Sequence, residues 1–279
     1  MANEITKQES IGVGRACRII SLNRSMYYYN SVKDDTEVET KLKELAERKS
    51  TRGFEHYYGL IRNEGLIWNH KRVKRIYNKL GLNLRRKRKR RVPARVKEPL
   101  LNTQRINQTW SMDFMHDALE NGRKVKVLNI IDDYNREALA IDVGSSITGN
   151  RVVEVLKTIL DWRGKTAEIR VDNGPEFISA AFVHFCESES IRIKYTQPGK
   201  PVQNAFIERF NRTFREDVLD AYIFENINEL RTIAEEWMEE YNQYHPHQSL
   251  GGKSPKSFLA INCGKRNTQP TPVLPQLTA

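Results

Sequence analysis

Apolar residues recur along this chain with two different periods. Up to about residue 84 the period is helical. Residues 11–30 read as a short helix, a turn at Leu22-Asn23 and a second short helix from Arg24 to Tyr29, with Ala16, Ile19 and Ile20 expected inside. Residues 36–49 carry Val38, Leu42 and Leu45 on one side. Phe54, Tyr57, Tyr58, Leu60 and Ile61 precede Gly65, and Asn69 then caps a helix bearing Val73, Ile76, Tyr77 and Leu80 that ends at Gly81. From residue 106 the period alternates between strand and helix. Trp110, Met112 and Phe114 interleave with Ser111, Asp113 and Met115, which is a strand with two unlike faces. Strands are predicted near 108–115, 124–132 and 137–143, then a helix at 150–163, a strand at 166–171, a helix near 179–189 and a strand at 191–195. Ile207, Phe210, Phe214 and Val218 form one buried helical stripe, with Asn204, Glu208, Asn211, Arg212 and Arg215 on a polar one. A last long helix, about 227–244, carries Leu230, Ile233, Trp237, Met238 and Tyr241.

Charge separates these two regions. Arg85, Arg86, Lys87, Arg88, Lys89, Arg90 and Arg91 are consecutive, and Pro93 and Pro99 follow. Seven like charges repel, so the run is expected to be extended when free and to bind DNA phosphates without reading sequence. The domain reading is therefore a basic, helix-turn-helix-like helical region over 1–84, a basic linker over 85–105, an α/β catalytic domain over 106–261 and a disordered tail over 262–279. The segment at 11–30 fits a helix-turn-helix fragment or an ordinary helical hairpin equally well. The net charge of +11 favours a polyanionic partner. No 18-residue apolar run and no signal-peptide pattern are present, which predicts a cytoplasmic protein with no membrane partner. Cys17, Cys186 and Cys263 are isolated, as free thiols of a reducing compartment are, and no zinc-ligand spacing occurs.

Three acids stand out by setting. Asp113 lies within a strand, Asp172 at the carboxyl end of another before the breaker Asn173-Gly174-Pro175, and Glu208 on the polar stripe of a packed helix. Each alone has a plain structural reading, as a turn or a solvated face. Together, carboxylates without thiols or histidines suit Mg²⁺ or Mn²⁺, and a pair of such ions can run phosphodiester chemistry. Asp132 and Asp133, after the apolar run 127–131, read as loop or turn residues with a supporting role at the metal site as a minor option. Glu176 reads as a turn residue that orients Asn173.

The three motifs, with Asp-Asn-Gly-Pro-Glu-Phe around Asp172, resemble the DDE catalytic core of the retroviral integrase superfamily, and the 35-residue gap between Asp172 and Glu208 and the basic Arg215 seven positions after Glu208 resemble the IS3 family of insertion-sequence transposases. In detail the chain resembles the downstream-frame product of IS3-family insertion-sequence transposases, over roughly Gly12 to Leu259. The resemblance implies a ribonuclease-H-like fold. It also implies metal binding by Asp113, Asp172 and Glu208, with Asp113 shared by two ions, and cleavage of an element's 3′ ends followed by strand transfer. Implied partners are the element-end and target DNA, further copies of the chain on that DNA, and the upstream-frame product of the same element, in a bacterial nucleoid. Candidate DNA contacts are Arg215, Arg212, Asn204, Gln203, Lys200, Asn173 and the run at 85–91. In Tyr241-Asn242-Gln243-Tyr244-His245-Pro246-His247, His245 stands where the family usually has arginine. The alternatives are a ribonuclease-H-like nuclease without strand transfer and a non-catalytic DNA-binding regulator.

Overall fold

The computed structural model describes residues 12–28, 34–84, 103–196 and 204–266. The basic run at 85–91, Lys200 and Gln203 lie outside the described residues. The chain divides into two compact units, Met1–Lys43 and Glu44–Ala279.

In the first unit, α1 (Val13–Ile19) is followed by α2 (Arg24–Tyr27), a single turn capped by the Asn23 side chain. Ala16 is buried as expected, but Ile19 is 61% exposed and Cys17 takes its place inside. The inward face is Val13, Ala16, Cys17 and Ile20, a helical i, i+3, i+4, i+7 set that leaves Ile19 on the far side. Helix α3 (Thr36–Arg48) spans the unit boundary.

The second unit opens with α4 (Phe54–Asn63) and α5 (His70–Lys79), the latter capped by the Asn69 side chain. Then come β1 (Thr109–Ala118), β2 (Lys124–Asp132), β3 (Ala138–Gly144), α6 (Gly149–Arg163), β4 (Glu168–Val171), α7 (Ala180–Ser188) and β5 (Arg192–Tyr195). The sheet order is β3-β2-β1-β4-β5. The first three strands form an antiparallel meander, and β4 and β5 add in parallel beside β1. This is the ribonuclease-H-like arrangement expected from the element order.

Strand alternation divides the core into two halves. Trp110, Met112, Leu128 and Ile130 pack with α6 and α7 through Leu156, Ile159, Phe182 and Phe185. Met115, Val127 and Ile131 pack on the opposite face against α8 (Ala205–Phe214) and α9 (Ile227–Tyr244). The stripe Ile207, Phe210, Phe214, Val218 is buried throughout. After Phe214 the helix widens into a π-turn over Arg215–Leu219.

Two expectations need correction. Asp132 is the last residue of β2 rather than a loop residue, Asp133 opens the turn after it, and both are fully buried. Asp132 accepts from the Asn107 and Tyr134 amides at 2.9 Å each. Asp133 accepts from Ser111 Oγ and Arg170 Nη1 at 2.7 Å each. The tail expected to be disordered from 262 is helical as far as Arg266, as the end of α10 (Pro255–Arg266). Ser254 with Pro255 supplies a helix start: the Ser254 hydroxyl accepts from Ser257 N at 3.4 Å, and proline suits the first helical position.

Helix α4 locks onto the end of α9. Asn63 Nδ2 donates to the Tyr244 carbonyl at 2.9 Å, and Arg52 donates to Asp217 Oδ1 at 2.7 Å. Gly59 faces Pro246 so closely that an added Cβ would lie 2.5 Å from the proline Cβ. The rigid ring cannot swing away. Gly59→Ala is therefore expected to cost about 1–3 kcal/mol as an overpacking change, despite alanine's better helix propensity. Urea unfolding reads this as a lower midpoint at unchanged slope; a variant as stable as the wild type would mean this contact is not tight.

Candidate active site

The register of the sheet brings the two aspartates together. Ser111 on β1 pairs with Arg170 on β4 in parallel. Two residues further along the chain stand Asp113 and Asp172, so they occupy adjacent positions on neighbouring strand paths roughly 4.8 Å apart. Side-chain direction repeats every second residue, so Asp113 follows Ser111 and Asp172 follows Arg170. Those two directions coincide, because Asp133 bonds both Ser111 and Arg170.

That face of the sheet is the one α8 covers. Glu208 lies in the first turn of α8 and is exposed. Asn211 follows one turn later and is buried. Its Nδ2 donates to Asp113 Oδ2 at 2.8 Å, and its Oδ1 accepts from Asn129 Nδ2 at 2.7 Å. The other Asp113 oxygen accepts from the Phe114 amide at 2.9 Å. Asp172 is held by its own turn, where Gly174 N donates to Oδ1 at 2.9 Å. A Cβ at Gly174 would sit 3.0 Å from that oxygen, which makes glycine the fitting residue.

Burial pushes the Asp113 carboxyl up to about 6, and the charges of Asp172 and Glu208 push the same way against the Phe114 and Asn211 hydrogen bonds. No described lysine or arginine pairs with any of the three acids. Their donors are all oxygen, and a divalent cation would relieve the repulsion that Asp113 feels. The residues present thus fit a hard metal ion in kind. Among the described residues, however, no three acid, histidine or cysteine side chains stand close enough to hold one ion as placed.

Glu176, expected to orient Asn173, is hydrogen-bonded to Lys126 instead. Lys126 also lies 4.0 Å above the Phe114 ring, which stacks on Phe177 at 5.0 Å. Burial, the largest single influence, would raise the Glu176 carboxyl, but the hydrogen bond and charge of Lys126, a backbone hydrogen bond and the nearby His116 together hold it below the usual range.

The other candidate residues are placed unequally. Asn173 and Arg212 are exposed. Asn204 is buried at the start of α8, and its Oδ1 finds no partner among the described residues. Arg215 turns toward β1, donating to the His116 carbonyl at 2.9 Å and to Asp117 Oδ2 at 3.2 Å. The acids beside it in sequence do not hold it: Glu216 and Asp217 pair with Arg52. The amide relay of Asn129 and Asn211 had no role in the sequence reading. Its signals were a lone asparagine inside an apolar strand and an asparagine three residues after Glu208 on the same helix face.

Models of the integrase core domain match residues 103–201 and 189–255. The insertion element IS407 uncharacterized 31.7 kDa protein of Burkholderia multivorans is 38% identical over 259 residues, covering 92% of this chain and 93% of that protein. An insertion element IS476 protein of Xanthomonas euvesicatoria is 37% identical, covering 88% and 72%. The transposase InsD of insertion element IS2 from Escherichia coli is 26% identical, covering 81% and 79%. Among solved structures, the HTLV-2 integrase catalytic core in complex with magnesium aligns with 57% of this chain and 99% of that one, at 20% identity and a TM-score of 0.46. Sheet order, two-sided core and family match define an integrase-type catalytic core. The chain belongs to the IS3 family of insertion-sequence transposases, and it is a DDE transposase.

The raised Asp113 pKa has a consequence for stability. An acid whose folded value lies above its ordinary 3.8 favours the fold fully below 3.8, and that contribution is lost as pH rises through about 6. Asp113→Asn removes it. In chelator, the variant should therefore gain on the wild type between pH 4 and pH 7 by on the order of 1–3 kcal/mol. Urea unfolding at the two pH values measures this; a stability difference independent of pH would contradict it.

Proposed function

We propose that this transposase cleaves DNA at the 3′ ends of its element and transfers them to new sites, with Asp113, Asp172 and Glu208 as the catalytic carboxylates. The observation that carries the reading is the meeting of three chain segments. The β1–β4 register aligns Asp113 with Asp172, and α8 brings Glu208 near enough for Asp113 to feel its charge.

The three acids would hold two Mg²⁺ or Mn²⁺ ions. When bound, such ions activate a nucleophile and stabilise the leaving oxygen of a phosphodiester. The protein's own part is to fix the carboxylates in place. Asn211 and the Phe114 amide hold one Asp113 oxygen each, and the Gly174 amide sets Asp172. The first reaction is hydrolysis: water attacks phosphorus and the 3′ oxygen leaves as a free hydroxyl. In the second, that hydroxyl attacks a phosphodiester of the target, whose own 3′ oxygen leaves. One site can serve both in-line displacements, with no covalent enzyme intermediate. Exposed Asn173 and Arg212, with Lys200, Gln203 and the run at 85–91, would contact DNA phosphates. Several copies of the chain on DNA, and the upstream-frame product of the element, are the expected partners.

Asp113→Asn, Asp172→Asn and Glu208→Gln are each expected to abolish cleavage and joining of element-end oligonucleotides, while gel-shift affinity for the same DNA stays within a few-fold. Full cleavage by any one variant would remove that residue from the site. Cleavage without joining by the wild type would instead favour a nuclease.

Arg215 is tied to β1 rather than free on the helix, but at 38% exposure its ion pair with Asp117 contributes about 0–1 kcal/mol. Arg215→Ala should leave the melting temperature within a few degrees and reduce cleavage, with partial recovery in Arg215→Lys. A large loss of stability, or wild-type cleavage, would make Arg215 a structural clamp for the π-turn.

A further inference from the structure

A polar cavity lies on the far side of α8 from the carboxylates. On that helix Glu208, Asn211 and Arg215 share one side, while Phe206, Arg209 and Thr213 are on the other and line the cavity. Its volume is about 710 Å³, within the usual range for small-molecule sites. The opposite wall comes from α4 and from the segment after α9, both in the same compact unit.

The lining is cationic. Among the described lining residues Arg62, Arg136, Arg209 and Lys253 outnumber the acid Glu55, while Arg52 is already paired with Glu216 and Asp217. Three imidazoles meet there: His56 lies 4.8 Å from His245, and His245 lies 4.9 Å from His247, between ring centroids. Three of the lining residues keep a buried polar atom that finds no partner among the described residues: His56 Nε2, His247 Nε2 and Arg136 Nη1. Buried polar atoms are nearly always hydrogen-bonded: Arg136 Nη1 calls for an acceptor, and the same acceptor would satisfy each imidazole in the tautomer with its proton on Nε2. Arg136 is placed there at a conformational cost. Its φ is 63°, in the left-handed region that non-glycine residues avoid, and its guanidinium lies 3.4 Å from the Phe206 ring centre.

We infer that this cavity is a phosphate-binding site separate from the carboxylate site, taking a phosphate monoester or diester on Arg136, His56 and His247. Neutral imidazoles each offer one N–H, and the three histidines are held neutral chiefly by burial, His56 down to about 4 and His247 to about 3. A cation is the poorer match. The surrounding arginines repel it. The phosphate can come from the DNA backbone or from a free nucleotide, since both present the same oxygens.

The test uses the full chain with ¹³C-labelled histidine and chelator present, so that carboxylate chemistry plays no part in the readout. Inorganic phosphate should shift the His56 and His247 ring signals saturably and leave exposed His184 unmoved. Arg136→Gln should weaken this binding about tenfold or more, the loss of a charged hydrogen-bond donor. If that variant does not fold, Arg62→Gln, on an exposed part of the rim, should weaken it as well. Displacement of phosphate by a 20-base-pair duplex identifies the DNA backbone as the source; displacement by deoxyadenosine monophosphate alone identifies a nucleotide. No shift with phosphate, a shift produced only by Zn²⁺ in place of chelator, or binding unaffected by both variants would overturn the site. Loss of cleavage in the carboxylate variants leaves these signals unchanged, so the two readings fail separately.

Discussion

The parallel pairing of β1 with β4 is the constraint on which the rest of the site depends. An antiparallel meander alone would leave Asp113 facing helix α8 with no second carboxylate. Because β4 joins β1 in parallel, Ser111 falls opposite Arg170 and the chain then carries Asp113 and Asp172 forward side by side. A shift by one residue would turn one aspartate to the other face of the sheet. The buried Asp133 guards this register by bonding to both Ser111 and Arg170. A stray charge there would be costly, so the ion pair ties strand order to electrostatics.

Helix α8 presents a different polar set on each of its two sides. Its apolar stripe seats it on the sheet, which leaves Glu208 and Asn211 toward the carboxylates and Phe206 and Arg209 toward the cationic cavity. The amide chain from Asn129 through Asn211 to Asp113 fixes the helix against β1 and β2 while holding a carboxylate that burial and its acidic neighbours disfavour. The same group is thus poorly stabilised in the fold while it carries its charge.

The helical segment over α4 completes the cationic cavity. Its close approach at Gly59 and the Asn63 bond to Tyr244 fix it against the end of α9. His56 from α4 and His245 and His247 from beyond α9 then meet, although nearly the whole catalytic domain separates them in sequence.

The sequence alone determined the elements and the chemistry they carry. Alternation around Asp113, the breaker after Asp172 and the stripe of α8 are local patterns, set by which face of a strand or helix must leave water. They suffice for the element order and single out three acids as candidates, while the ribonuclease-H-like reading rests in part on the family resemblance. Local patterns fail where a position is decided by distant neighbours. Asp132 and Asp133 look like turn residues and are buried because Arg163 and Arg170 reach them from other elements. Arg215 lies beside Glu216 and Asp217 in the chain, yet it binds Asp117 on β1, while Arg52 from the helical segment takes both of those acids. Register, the meeting of the histidines and the partners of each charge belong to the tertiary structure, because each depends on long-range packing that sequence spacing does not encode.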